Sequence, residues 1–195
     1  MRRRLLAVAG ALLAASLPAC RGRDRTQNEP VSASPQETAA PHAPEAEPVA
    51  KASVTLYFPS ATGDVLTAET REIVDTKHPA DRGAQIVAAL LDGPKTEGAL
   101  PAVPPGTTLR QLWVRDDGNA FADFSEELVA GANAGSADEI LTVYAIVDSL
   151  TENIPAIHKV GILVAGRERD TFGHLDVSRP LPPDLTLAKP KPATE

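Results

Sequence analysis

The sequence predicts a small α/β (α+β) domain, a mixed β-sheet with two main helices packed on it, bordered by segments that cannot form a core. Three observations lead there. Apolar residues alternate in several short runs, and they recur at three- and four-residue steps in two longer ones. All seven aromatic residues fall between Ser53 and Ser178. Ten of the 18 prolines fall in the two segments that flank this stretch.

Val54, Leu56 and Phe58 alternate with Thr55 and Tyr57, the period-two pattern of a strand that Pro59 ends. Arg71 to Asp75 reads as a weaker second strand. After Pro79, the residues Ile86, Val87, Leu90 and Leu91 share one helical face. Gly93-Pro94 stops that helix, because glycine accepts a left-handed backbone and proline cannot continue the hydrogen-bond ladder. Leu109 to Arg115 and Ala120 to Phe124 flank the turn sequence Asp116-Asp117-Gly118-Asn119, which is a hairpin signal. Ser136 and Glu139 form a capping box ahead of Ile140, Tyr144, Val147 and Leu150, and this apolar row marks the strongest helix. Pro155 ends it. Val160 to Val164 is an apolar run of strand length, suited to burial on both faces. The resulting order is strand, strand, helix, two strands, helix, strand.

Residues 1–19 stand apart from this pattern. Met1-Arg2-Arg3-Arg4 is basic, Leu5 to Leu17 is apolar, and Leu17-Pro18-Ala19-Cys20 closes the run, the layout of a secretory signal peptide. A membrane span needs roughly 20 apolar residues, and this run is stopped by Pro18 and then by Arg21, Arg23, Asp24 and Arg25. The Leu-x-Ala-Cys ending resembles the lipobox of bacterial lipoproteins, with Pro18 where Ala, Ser or Thr is usual. That resemblance implies diacylglycerol on the Cys20 thiol, removal of the signal before it, and a lipid anchor on the extracytoplasmic side of a bacterial membrane. Each buried CH2 of the acyl chains contributes about 0.8 kcal/mol, so two or three chains anchor stably.

Residues 20–52 then read as the lipidated cysteine and a disordered Pro/Ala-rich tether, which contains no Phe, Tyr or Trp. As a flexible chain the tether places the domain on the order of 30 Å from its lipid. Residues 53–178 read as the folded domain and 179–195 as a Pro-rich disordered tail. The net charge of −7 disfavours a nucleic-acid partner, and the loss of three signal arginines takes it to −10. One cysteine makes neither an internal disulfide nor a cysteine-based zinc cluster.

Several segments in this order resemble the GerMN family, the sporulation and germination domain. They are Val54-Thr55-Leu56-Tyr57-Phe58, Arg71, Ala89-Leu90-Leu91-Asp92-Gly93-Pro94, Val103-Pro104-Pro105-Gly106-Thr107 and Phe121-Ala122-Asp123-Phe124-Ser125. To these are added Tyr144-Ala145-Ile146-Val147-Asp148-Ser149-Leu150-Thr151, Val160, Val164-Ala165-Gly166 and Gly173-His174-Leu175-Asp176. Two positions depart from the family pattern: Ser149, where threonine is common, and Ala165, where a polar residue commonly precedes the glycine. The resemblance implies a fold similar to the ring-building domains of envelope machines, and assembly or binding rather than chemistry.

The residues themselves present little chemistry. His42, His78, His158 and His174 belong to no H-E-x-x-H motif, and nucleophile elbow, P-loop and dinucleotide fingerprints are absent. Gly131-Ala132-Asn133-Ala134-Gly135 precedes a helix but is followed by Asp138 and Glu139, which already place negative charge in the first turn. Asp116 with Asp117 reads as a turn, and Glu126 with Glu127 as a helix start or surface. Trp113 alternates with Leu112 and Val114, so it points away if they point inward, yet the usual fate of an aromatic ring is burial, and burial is the expectation. The expected protein is therefore a membrane-anchored, non-enzymatic binding or assembly module of the bacterial envelope. It has no cofactor, no metal, lipidation at Cys20, and an envelope protein or its own copies as partner. The alternatives are an envelope enzyme, which needs converging ionisable groups in a cleft, and a cell-wall glycan-binding module, which needs an exposed aromatic platform.

Overall fold

The computed structural model describes residues 49–130 and 136–188. Strands β1 (Lys51–Pro59) and β2 (Leu66–Val74) form an antiparallel hairpin in unbroken register, from Lys51 opposite Val74 to Pro59 opposite Leu66. Helix α1 (Pro79–Leu91) follows, and then the hairpin of β3 (Leu109–Val114) and β4 (Asn119–Phe124). A short α2 (Glu127–Ala130) and the long α3 (Ser136–Asn153) lead to β5 (Lys159–Val164), β6 (Arg167–Glu168), β7 (Thr171–Phe172) and β8 (Leu175–Asp176). A 3-10 turn at Leu185–Leu187 closes the described chain.

The second sheet has the order β3-β4-β5-β6 and is mixed, since β4 and β5 run parallel with α3 as their crossover while the other pairs are antiparallel. Each long helix touches the β1–β2 hairpin and the four-stranded sheet: α1 meets β1, β2 and β3, and α3 meets β1 and β5. The core lies along these contacts. Leu56 and Phe58, Ile86 and Leu90, Ala122 and Phe124, Ile146 and Leu150, and Val160 are each at most 1% exposed. Full burial of a Leu, Ile or Phe side chain contributes about 1.5 to 3 kcal/mol.

The strands do not merge into one sheet, because β1 has a helix on its outer edge where a third strand would lie. The Tyr57 N–H donates to Ser149 Oγ at 3.0 Å, and the Thr55 N–H donates to Asn153 Oδ1 at 2.8 Å. Asn153 Nδ2 returns a bond to the Thr55 carbonyl at 2.6 Å. Side chains of α3 thus stand in for a neighbouring backbone and satisfy groups that would be costly to bury unpaired. Serine in place of threonine at 149 preserves the hydroxyl that makes the contact. At the other departure, Ala165 adopts φ 52 beside Gly166 in the tight turn from β5 to β6, a left-handed position that polar Asn or Asp tolerates better than alanine.

Two expectations need correction. β2 starts at Leu66, well before Arg71, because its pairing with β1 sets its length more than its own mixed composition does. The tail from Arg179 is not disordered over residues 179–188. Leu181 exchanges backbone bonds of 2.9 and 2.8 Å with Val160, Asp184 accepts the Thr186 N–H, and Ala188 bridges to Leu66. The leucines Leu181 and Leu187 pack partly buried against the core. Prolines at 180, 182 and 183 forbid a helix but not an extended strap at a sheet edge, and composition does not distinguish that strap from a free tail. Among the described residues no helix is long and apolar enough to cross a membrane.

Candidate functional site

Cys20, His42 and the glycine-rich loop 131–135 lie outside the described residues. Trp113 is not buried: it is 45% exposed, whereas Leu112 beside it is 5% exposed and meets α1 at Gly83. Strand alternation outweighs the average behaviour of aromatics, since the helices take the Leu112 face and Trp113 is left on the other. On that outer face Trp113 lies opposite Phe121, and Phe121 lies opposite Gly161, where the absence of a Cβ leaves room for the phenyl ring.

His78 precedes Pro79 at the start of α1 and makes no capping bond with its side chain. The His158 N–H donates to the Gly118 carbonyl at 2.7 Å, and its imidazole fills the space that a side chain at Gly118 would need. The fold brings these two histidines to the edge of one open depression of about 560 Å3, with Arg115, Asp116 and Asp117 on its rim. Asp117 accepts the Asn119 N–H at 3.0 Å and pairs with Arg115 at 3.3 Å, and the Asn119 bond holds its carboxyl below the usual range. Among the described residues no group of three or more His, Cys, Asp and Glu is placed to hold a metal ion.

His174 and Glu139 meet. The His174 N–H donates to Glu139 Oε2 at 3.0 Å, and Nδ1 of the ring lies 3.2 Å from the same oxygen. The backbone bond, with the imidazole second, holds the Glu139 carboxyl below its ordinary value. Gly173, at φ 57, lets the β7–β8 turn close over that carboxylate, because a Cβ there would overlap it. Glu139 therefore fastens a hairpin to α3, and it also borders a depression of about 300 Å3 walled by Pro59, Leu100, Val103, Pro104 and Phe172.

Two further carboxylates belong to no catalytic or metal-binding motif. Glu69 on β2 is buried against Arg71, with both side chains 7% exposed. Its Oε2 accepts the N–H groups of Lys95 and Thr96 at 2.8 Å each, while Arg71 Nη2 donates to the Gly93 carbonyl at 2.7 Å and the guanidinium lies over the Phe58 ring. Burial alone would raise the Glu69 pKa, but the Thr96 and Lys95 bonds and then Arg71 outweigh it and hold the carboxyl low. The Gly93-Pro94 helix stop is thus fastened to β2. Asp148 on α3 is fully buried; its Oδ1 accepts the Asp184 N–H at 3.0 Å and its Oδ2 has no hydrogen-bond partner. Burial pushes this carboxyl up to about 6, the Asp184 N–H opposes the shift, and the carboxylates of Asp184 and Glu152 reinforce it. The available signal was spacing: Leu141, Tyr144 and Asp148 fall at three- and four-residue steps on one side of α3.

These polar groups chiefly hold backbone in place. Glu69 holds a loop, Glu139 a hairpin, Ser149 and Asn153 a strand edge. Asp148 is poised to exchange a proton near neutral pH but borders neither depression.

The family profile for Germane, sporulation and spore germination, matches residues 55–170, from β1 through β6. The first GerMN domain of the sporulation protein GerM from Bacillus subtilis is 24% identical, with a TM-score of 0.56, over 67% of this chain and 97% of that one. The tandem GerMN domains of the same protein are 22% identical, with a TM-score of 0.53, over 68% of this chain and 44% of that one. A candidate lipoprotein from Clostridium perfringens is 29% identical over 68% of this chain and 87% of its own, with a TM-score of 0.49. No curated protein matches the chain. The profile covers more than half of the sequence and includes Arg71, the Gly93-Pro94 stop, Asp148 and Ser149, so the chain belongs to the Germane family of sporulation and spore germination, and its α/β domain has the GerMN fold.

Proposed function

We propose that the chain is an extracytoplasmic lipoprotein, anchored through Cys20, whose GerMN domain acts without catalysis by binding another envelope protein or copies of itself. The observation that carries this reading is Trp113, nearly half exposed on a sheet face beside Phe121, while Glu69, Glu139 and Ser149 are engaged in holding the domain's own backbone. An exposed aromatic of this kind is a typical anchor for a partner surface. A tether raises the local concentration of both partners near the membrane, so a weak interface suffices.

The test is a photoreactive residue in place of Gln111, adjacent to Trp113, in intact cells at native abundance. A discrete protein adduct is expected that disappears with Trp113→Ala and weakens when the region between Arg25 and Lys51 is shortened. Absence of any adduct, with cell function surviving the shortened tether, defeats the reading. Mass spectrometry of the mature N-terminus checks the anchor, and an unmodified Cys20 rules it out.

The same pair of aromatics favours one second reading, a glycan-binding face. In that case the domain co-sediments with purified, protein-free cell wall and loses this property with Trp113→Ala.

A further inference from the structure

Residues 179–188 form a strap between the β1–β2 hairpin and the four-stranded sheet. Leu181 is bonded to Val160 of β5, Ala188 bridges to Leu66 of β2, and between them Asp184 starts the 3-10 turn, which lies against α3. Asp148 lies beneath it, with a single donor from the strap and one oxygen unserved. A buried carboxylate normally has a cation or several donors. The charges that act on Asp148 are both acidic, Asp184 from the strap and Glu152 from α3 itself, and Asp148 in turn adds to burial in raising the phenols of Tyr57 on β1 and Tyr144 on α3. No charged group on α1, β5 or β8, the other elements against α3, contributes, and among the described residues no Lys, Arg or His pairs with it.

We propose that Asp148 is a pH-operated latch for the C-terminal strap: protonated, it keeps residues 181–188 seated on α3, and its ionisation loosens them. Proton binding at Asp148 and seating of the strap are linked. With the strap seated, Asp148 is cut off from water and lies near the Asp184 carboxylate. With the strap lifted, both groups are hydrated and Asp148 returns toward the ordinary aspartate value of about 3.9. The seated state therefore binds the proton more tightly, at about 6, and a rise in pH through this interval shifts the balance toward the lifted state. The Asp184 N–H bond is stronger to an ionised acceptor and works against opening, but burial is the larger influence. Lifting uncovers the Val160 edge of β5 and the Leu66 end of β2 without disturbing the core between the helices, so it is a local opening.

Amide hydrogen exchange of the full-length chain in detergent micelles tests this at pH 5 and pH 8, after correction for intrinsic exchange. The opening equilibrium at Leu181, Asp184 and Ala188 should rise roughly tenfold between the two, while Ile146 and Leu150 keep their protection. Asp148→Asn, which retains shape and the acceptor oxygen, should remove the pH dependence. Asp184→Asn, which retains the backbone N–H, should shrink it. Equal corrected protection at both pH values, or a pH dependence that survives in Asp148→Asn, overturns the latch. Should Asp148→Asn not fold, direct titration of the Asp148 carboxyl carbon in the unaltered chain decides. A midpoint near 6 that tracks strap exchange supports the proposal, and one below about 5 sinks it.

Discussion

Glu69 and Asp148 are both carboxylates withdrawn from solvent, yet their surroundings push them in opposite directions. Glu69 has two backbone donors and a guanidinium; Asp148 has one donor and acidic neighbours. The comparison teaches that partners, more than depth, decide what a buried charge does to a fold. It also gives the two regions opposite responses to acid. The lowered Glu69 pKa contributes stability that is present above the ordinary glutamate range and lost as pH falls through the folded value. The raised Asp148 pKa contributes stability that is complete below the unfolded value of about 3.9 and lost as pH climbs through about 6. The two windows overlap in mild acid, so acidification firms the Asp148 region while it loosens the Glu69 region.

Removing the cation from the satisfied region should have the largest effect. Arg71→Ala leaves Glu69 buried without its charge partner and is expected to cost about 3 to 5 kcal/mol in urea unfolding at pH 7. A loss under about 1 kcal/mol would break the comparison, because Glu69 would then not depend on Arg71. The opposite sign is expected on α3: Asp148→Asn should stabilise the domain by about 1 to 3 kcal/mol at pH 8 and by almost nothing at pH 4. Equal gains at both pH values would mean that packing, not charge, drives the change. Asn153→Ala is the neutral control for both, since it unpairs the Thr55 N–H and carbonyl and should cost about 1 to 2 kcal/mol with little variation from pH 5 to 8. The smallest effect belongs to Trp113→Ala. With its ring half in water, the change should move the melt by less than about 1 kcal/mol while eliminating the photo-adduct at position 111.

The elements legible from sequence are those whose pattern is local. Val54 to Phe58, the Asp116 to Asn119 turn, and the rows on α1 and α3 announce themselves by period and by Gly or Pro punctuation, and they are found where expected. The separation of β1–β2 from the four-stranded sheet was not legible, because it depends on Ser149 and Asn153 reaching Tyr57 and Thr55, residues 92 and 98 positions away. The strap was hidden for a related reason: Leu181 and Leu187 acquire value only against Val160 and Leu66, and the prolines around them suggested a free tail. Trp113 differs again: strand alternation turns it outward, and this local geometry outweighs the average tendency of aromatic rings to be buried. Asp148 was visible as a letter in a helix, yet whether an aspartate at that spacing is solvated or sunk is settled by the strap that covers it.

Dependence of β1 on such distant partners also sets an order of events as the chain emerges. Strand β1 appears first from any machine that delivers the chain from its N-terminus, but Ser149 and Asn153 follow Tyr57 and Thr55 by 92 and 98 residues. At a synthesis rate of about 5 to 20 residues per second, this interval lasts about 5 to 20 s. Throughout it the outer edge of β1 offers unpaired N–H and carbonyl groups to any extended segment nearby, the condition under which strands add to the wrong neighbour. Asn153→Ala should then lower the yield of correctly folded protein by more than its equilibrium cost alone accounts for, with the excess recovered as aggregate when expression is fast.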